Sequence, residues 1–496
     1  MKRILKLLTG IYLLVQFISC SYNSQKSLQS KISETDSLTD IWQLAPEING
    51  IRWNVNKPHT DHLEFSGLKV SALISYGNDE NGSLVLEKKV VWPMLRTIPN
   101  DTHASLIYDF KKSVNSEIKI NGKEIVAENP FELDFNGVLS IRSNTAQGVD
   151  IERILSPGTD KPVIVEQINI SNTSDKEIEI TIKKLDYLHK TKIKKGVYGV
   201  YSIRAYNLGY GEKTLKPGEK YSFSQVYIAT KKGEEFEVNV AEEIEKRKEF
   251  LQSLNNSLVL ESPDLNINQM FSFAKIRATE SIYATKGGLM HGPGGASYYA
   301  AIWANDQAEY VNPFFPFEGN SNGNESAINS FKHFARFMNP EFKPIPSSII
   351  AEGTDIWNGA GDRGDAAMIA YGASRFALAY GDKNTADSLL PLIKWCLQYC
   401  EHKMLPEGVI ASDTDELEGR FQTGDVNLST NMLAYGGYIS ASHLLNSLGQ
   451  EAELALEYQK KALALRESSE KYFGATVQGF NTYQYFKGNK KLRSWI

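Results

Sequence analysis

Three short stretches of this chain hold more carboxylates than a loop needs for solubility, and each has the makings of acid–base chemistry. The densest is ASDTDELEGRFQTGDVN, where Asp413, Asp415, Glu416, Glu418 and Arg420 fall within eight residues. Like charges that close raise one another's pKa, and a general acid must hold its proton near neutral pH. Cleaving a glycosidic bond needs one carboxyl to protonate the leaving oxygen and another to activate water or attack. One of these acids can take the first role, with a merely solvated acidic loop as the plain alternative.

The second stretch, AEGTDIWNGAGDRGDAAM, packs Glu352, Asp355, Asp362, Arg363 and Asp365 into fourteen residues beside Trp357. Asp365 is expected to cap the helix that follows, where its carboxylate meets free N–H groups and the positive dipole end. Asp362 and Arg363 are expected at substrate, since a guanidinium fork binds sugar hydroxyls or a uronate carboxylate. A calcium site is the rival for these acids. The third stretch, TKGGLMHGPGGASYYAAIWANDQAEY, offers close backbone approach at its glycines, rings at Tyr298, Tyr299 and Trp303, and then Asn305 and Asp306. A carboxylate beside an indole holds a sugar by hydroxyl hydrogen bonds and C–H packing. Read structurally, Trp303 would be core and Asp306 an N-cap.

What must position these stretches is a chain of two halves. From about residue 41 to 235 apolar residues alternate, as in Leu68-Val70-Ala72-Ile74 and Ile178-Ile180-Ile182, with turn signals at Asn121-Gly122 and Lys216-Pro217-Gly218 between them. Many short strands of this kind read as a β-sandwich, residues 41–238. Within it Ile168 to Leu188, with Asn-Thr-Ser-Asp in the middle, reads as an exposed hairpin. The charged amphipathic run Ala241 to Leu254 marks a helical linker, 239–260. Thereafter the spacing predicts helices near 264–285, 303–313, 324–338, 364–380, 384–401, 427–448 and 450–472.

These helices alternate in polarity. Those at 364–380 and 427–448 are apolar nearly all round, whereas 324–338, 384–401 and 450–472 are two-faced. A helix apolar all round is buried, and a two-faced one meets water. Inner and outer helices taking turns describe a toroid, residues 261–496. The connections from inner to outer helix are short, while the three acidic stretches are the long ones from outer to inner. They therefore open on one face.

At the other end of the chain Lys2, Arg3 and Lys6 precede the apolar run Leu7 to Phe17, closed by Ser19-Cys20. The run is too short for a permanent bilayer span. It reads as a lipoprotein signal, residues 1–20, with Cys20 the lipidated residue, or else as a simple secretory signal. Residues 21–40 are a polar, Ser-rich tether. Secretion across the inner membrane follows, to the periplasm or an outer-membrane lipoprotein, with the lipid at Cys20 as the one expected membrane contact. A net charge of -5 suggests neither nucleic acid nor an anionic surface as partner. Cys396 and Cys400, one helical turn apart, are expected as buried thiols, because i,i+4 geometry suits a disulfide poorly. No cofactor and no metal is expected.

The sandwich, the linker, the alternating helices and the stretches WANDQAEY, EGTDIWNGAGDRGDAAMIAYGASRFALA and SDTDELEGRF resemble the six-hairpin glycosidase superfamily, in its Bacteroidetes type, over roughly residues 40 to 496. The superfamily spans glucoamylase-like, trehalase-like, rhamnosidase-like and maltose-phosphorylase-like enzymes. The resemblance implies an N-terminal β-sandwich on an (α/α)6 toroid and a glycosidase, often inverting, that acts on oligo- or polysaccharide. It places the general acid in the loop entering the sixth helix, at Glu416, with Asp415 and Glu418 as rivals. Glu352, Asp355, Trp357, Asp362 and Arg363 join Trp303, Asn305 and Asp306 as expected sugar contacts. A full ring has twelve helices and the pattern here covers about seven, so the expectation is an incomplete toroid, truncated and inactive by itself. Two other readings stand beside it: a surface glycan-binding lipoprotein without catalysis, and a polysaccharide lyase, for which His291 is the histidine in a candidate loop.

Overall fold

The computed structural model describes residues 41–98, 105–111, 114–295, 299, 301–350, 356–357 and 359–491. Cys20 and the tether, and the expected sugar contacts Glu352 and Asp355, lie outside the described residues.

The alternating segments fold into one long antiparallel sheet of nine strands. Its order is Gln43–Ala45, Gly50–Asn54, Glu128–Phe135, Leu139–Thr145, Val149–Pro157, Val163–Asn172, Lys220–Lys231, Tyr201–Leu208 and Asp186–Lys190. Two four-stranded sheets lie on the same face of it. One, His59–Gly67 with Val70–Asn78, Leu84–Arg96 and Ser105–Phe110, closes a core around Trp53, Phe65, Trp92, Ile141, Ile164 and Tyr227. The other, containing Ile118–Ile120 and Ile178–Ile182, closes a second core with Val149, Ile151, Ile168 and Ile170. Period-two patterning decides this, since Ile164, Ile168 and Ile170 point to one side of their strand. Asn121-Gly122 makes the expected tight hairpin, with positive φ at both residues.

The segment from Ile168 to Leu188 is not the hairpin that the sequence suggests. Val163–Asn172 pairs with Val149–Pro157 and Lys220–Lys231, whereas Ile178–Ile182 pairs with Gly211–Leu215 and Ile118–Ile120 in the facing sheet. Both strands carry isoleucine on alternate positions, and burying those faces against each other, across the sandwich, removes more apolar surface from water than pairing them side by side.

Helix α1 (Val240–Asn256) covers the far side of the long sheet, with Val240 and Ile244 against Val163, Val165, Val226 and Ile228. Then follow α2 (Leu265–Glu280), α3 (Asn312–Glu318), α4 (Ser321–Ala335), α5 (Asp365–Tyr380), α6 (Lys383–His402), α7 (Leu428–Leu448) and α8 (Ala452–Phe473). Capping follows the sequence: Asp264, Asn320, Asp382 and Asn427 each accept a backbone N–H of the first turn, and Gly381 and Gly449 end their helices at positive φ. The predominantly apolar α5 and α7 pack on each other, flanked by α6 and α8. Cys396 and Cys400 are buried free thiols on α6.

Two predicted helices come out differently. The one expected to reach 285 stops at Glu280, because Ile282–Thr285 pairs with Gly288–His291. The one expected from 303 begins later: Ala301–Trp303 is a strand against Ser348–Ile350, and Asp306–Val311 forms a π-helical turn ahead of α3. The stretch after α8 forms the hairpin Gly474–Val477 with Phe480–Tyr483.

Buried polar contacts tie the halves together. Arg247 of α1 donates to the carbonyls of Gly137 and Ser66 and pairs with Glu280 of α2. Arg277 of α2 reaches the Glu64 carbonyl at 3.2 Å, and the Glu64 carboxylate accepts the Tyr299 hydroxyl at 2.9 Å. The glycine-rich stretch is thus anchored to the sandwich just before it delivers Trp303.

Candidate active site

The three acidic stretches meet. Arg363, which is 1% exposed, stands at their junction. Its Nη2 reaches Asp365 Oδ1 at 2.8 Å, Asn305 Oδ1 at 3.3 Å and the Ser347 carbonyl at 3.3 Å. Its Nη1 reaches Glu418 Oε1 at 3.3 Å. One guanidinium therefore holds a residue from each stretch. Arg363 was expected at substrate, but it is buried and both of its terminal nitrogens are engaged inside the protein, so it organises the acids instead; its Nε is buried without a partner among the described residues. Asp365 likewise does not cap α5: Gly364, at φ 83, occupies that position, and the carboxylate binds Arg363 and the Ser347 hydroxyl. A charged hydrogen bond to a buried guanidinium outweighs a cap to neutral N–H groups.

The π-helical turn brings in the glycine-rich stretch. It lies across α5 at Gly372, where a Cβ would come within 2.1 Å of the Ala308 carbonyl oxygen, so only glycine permits this approach. Such turns insert an extra residue and are frequent at functional sites. Here the turn carries Asp306, Glu309 and Tyr310 to the junction. The Tyr310 hydroxyl donates to Glu416 Oε2 at 3.1 Å.

The acids differ sharply in environment. Burial, and then the charges of Glu416 and Glu418, push Asp306 up to about 6 against the pull of Arg363. Burial and the charge of Glu416 push Glu309 up to about 8. Its Oε1 is sealed from water and has no hydrogen-bond partner among the described residues. Tyr310 is raised too, first by burial and then by the same Glu416 charge. Glu416 accepts through Oε2 alone, and its Oε1 takes no hydrogen bond from the described residues.

The other expected residues sort clearly. Asp415 is fully buried: Oδ2 accepts the Tyr485 hydroxyl at 2.7 Å and Oδ1 the Leu417 N–H at 2.9 Å, so it shapes the loop. Asp362, expected at the sugar, is 2% exposed and is a latch. Its carboxylate accepts from Gly364 N–H and the Tyr399 hydroxyl, and its carbonyl accepts from the N–H groups of Asp413 and Thr414. Glu418 sits at φ 60, turned back towards Arg363 and Arg420. Trp303 is half-buried at the end of its strand, which pairs with Ser348, itself paired with Trp357. His291 is buried, and burial lowers it to about 4. Among the described residues no cluster of His, Cys, Asp or Glu stands ready to hold a metal.

Glu309 and Tyr310 escaped the sequence reading. The signal was present in WANDQAEY, where Glu309 follows Asp306 by three residues and so shares its helical face.

No known family profile matches the chain, and no curated protein matches it. Solved structures do. A putative kojibiose phosphorylase from the human microbiome superposes with a TM-score of 0.52 at 11% identity, over 86% of this chain and 70% of that one. A bacterial glucoamylase complexed with acarbose gives 0.48 at 12% identity, over 88% and 73%. The cellobiose 2-epimerase of Spirochaeta thermophila gives 0.28 at 14%, over 38% and 48%. The fold of that phosphorylase is shared by this chain over most of its length.

Proposed function

We propose that this protein is a glycoside hydrolase that cleaves oligo- or polysaccharide with Glu416 as its general acid, on an arc of the (α/α) toroid formed by α2 to α8. The observation that carries the reading is the coupling of Glu309 and Glu416 at the junction of three loops. Glu309 stays protonated at neutral pH largely because it is buried beside the charge of Glu416. A protonated carboxyl beside a second carboxyl is the pairing that glycosidic cleavage asks for. The delivering role is given to Glu416, in the loop where the resemblance places the general acid; its Oε1 takes no hydrogen bond from the described residues. Tyr310 steadies Glu416, and Asp306 and Asn305 are placed to hold sugar hydroxyls, with Trp303 as the ring. Neighbours of this fold that are named for sugars, one of them bound to acarbose, support a carbohydrate substrate.

Hydrolysis fits better than phosphorolysis, because the cation at the junction, Arg363, is bound to Asp365 and Glu418 and the surrounding charge is negative. A phosphate dianion would meet repulsion there. Hydrolysis also fits better than a lyase reaction. His291 is buried and neutral, and the Tyr310 hydroxyl holds its proton more tightly than usual, the wrong direction for a base that must abstract one.

The test is a panel of α- and β-linked oligosaccharides incubated with the purified chain, with and without phosphate, following free sugar and sugar phosphate. Free sugar that disappears in Glu416→Gln supports the reading. Phosphate-dependent turnover would reassign it as a phosphorylase, and binding without turnover as a glycan-binding protein.

A further inference from the structure

We propose that the turn between strands Asp186–Lys190 and Tyr201–Leu208 is a contact surface for an anionic phospholipid bilayer. In a chain of net charge -5, this turn gathers Lys190, Lys192, Lys194 and Lys195 within six residues. All four are exposed, and none forms an ion pair with any described residue. Exposed lysines elsewhere are paired in some places, as Lys183 with Glu117 and Lys246 with Glu242, and unpaired in others, so what marks this turn is four lysines in six residues. Four unpaired lysines in one turn make a local positive field that acts within about 8 Å at physiological salt, whatever the net charge.

The second observation is apolar. Ile193, between Lys192 and Lys194, is 75% exposed, and Leu188 and Val197 on either side are exposed as well. A soluble polyanion would meet the lysines and leave Ile193 in water. A bilayer interface satisfies both, with headgroup phosphates for the lysines and acyl boundary for the isoleucine.

The third is that the turn is built rather than loose. Lys195 N–H donates to the Lys192 carbonyl at 2.9 Å, Ile98 N–H to the Lys195 carbonyl at 2.8 Å, and Val197 N–H to the Arg96 carbonyl at 3.0 Å. The Tyr201 hydroxyl donates to the same Arg96 carbonyl at 2.6 Å. At its base Lys286 lies over the Tyr198 ring, 6.0 Å from its centre, adding positive charge behind the tip, while Lys231 on the same ring is paired with Glu234. A backbone fixed in this way presents its lysines and isoleucine together at little entropic cost.

Co-sedimentation of the full chain with vesicles tests this, comparing phosphatidylethanolamine vesicles containing phosphatidylglycerol with pure phosphatidylcholine. Binding is expected to depend on phosphatidylglycerol and to fall about tenfold or more in K192E/K194E/K195E, and severalfold in Ile193→Ser. The neutral variant K192Q/K194Q/K195Q is expected between them, and all of these keep the N-terminal segment, whose own contribution therefore cancels. Unchanged thermal melting confirms that each variant is folded. Equal vesicle binding by wild type and the lysine variants would overturn the proposal. So would loss of binding to soluble polygalacturonate with vesicle binding unaltered, which would make the turn a polysaccharide contact.

Discussion

The Tyr310 hydroxyl lies 3.1 Å from Glu416 Oε2, although 106 residues separate the two in the chain. This contact joins the π-helical turn to the loop of Asp413 to Arg420 and leaves the other Glu416 oxygen without a hydrogen bond from the described residues. The chemistry proposed for the site depends on that division of labour.

Replacing Glu416 by Gln keeps the shape of the side chain and removes its ability to pass on a proton. Turnover is expected to fall by roughly 10²–10⁴-fold with KM little changed. Steady-state kinetics on the best substrate from the panel measures this, and a fall confined to KM would contradict the assignment.

The pH–rate profile is expected to be bell-shaped in the free enzyme. Asp306, held at about 6, loses the charge that accepts sugar hydroxyls as pH falls through that value. The proton held at Glu309, at about 8, leaves as pH rises, so the basic limb belongs to Glu309. Glu309→Gln should lower the maximum and move the basic limb to lower pH, whereas a purely structural role would leave the limb where it is.

The same shift has a sign for stability. Glu309 has a folded pKa raised from 4.5 to about 8, so between those values the native state binds a proton that the unfolded chain does not. Stability from this group is full below about 4.5 and is lost as pH rises through about 8. Glu309→Gln removes the penalty, and at pH 8 to 9 the variant is expected to be more stable by roughly 1–3 kcal/mol. Denaturant melts of both proteins at pH 5 and pH 9 test it, and a difference that does not grow with pH would argue against the shift.

Arg363→Met strips the buried cation from Asp365 and Glu418. Leaving buried carboxylates without their partner costs about 3–5 kcal/mol, so the melting temperature should drop sharply. Asp415→Asn separates fold from chemistry nearby: it weakens the bond from Tyr485 and is expected to cost about 1–2 kcal/mol of stability. Its turnover per folded molecule should stay close to that of wild type, in contrast to Glu416→Gln.

Much of this molecule was legible in the sequence by itself. Alternating isoleucines, turn dipeptides and helix caps are local signals, and local sterics and hydrogen bonding suffice to set strands and helices. The polarity difference between α5 or α7 and their neighbours was enough to say which helices are buried, and so to place three acidic loops at one opening. What the sequence could not decide was which acids face inward. Asp415, Glu416 and Glu418 are equivalent as text, yet one binds Tyr485, one Tyr310 and one Arg363, partners that lie 70, 106 and 55 residues away. Glu309 looked like any surface glutamate until α5 came within contact of its turn at Gly372. Direction of a side chain in a loop, and the desolvation that sets its proton affinity, depend on neighbours supplied from elsewhere in the chain, and only the packed structure brings those together.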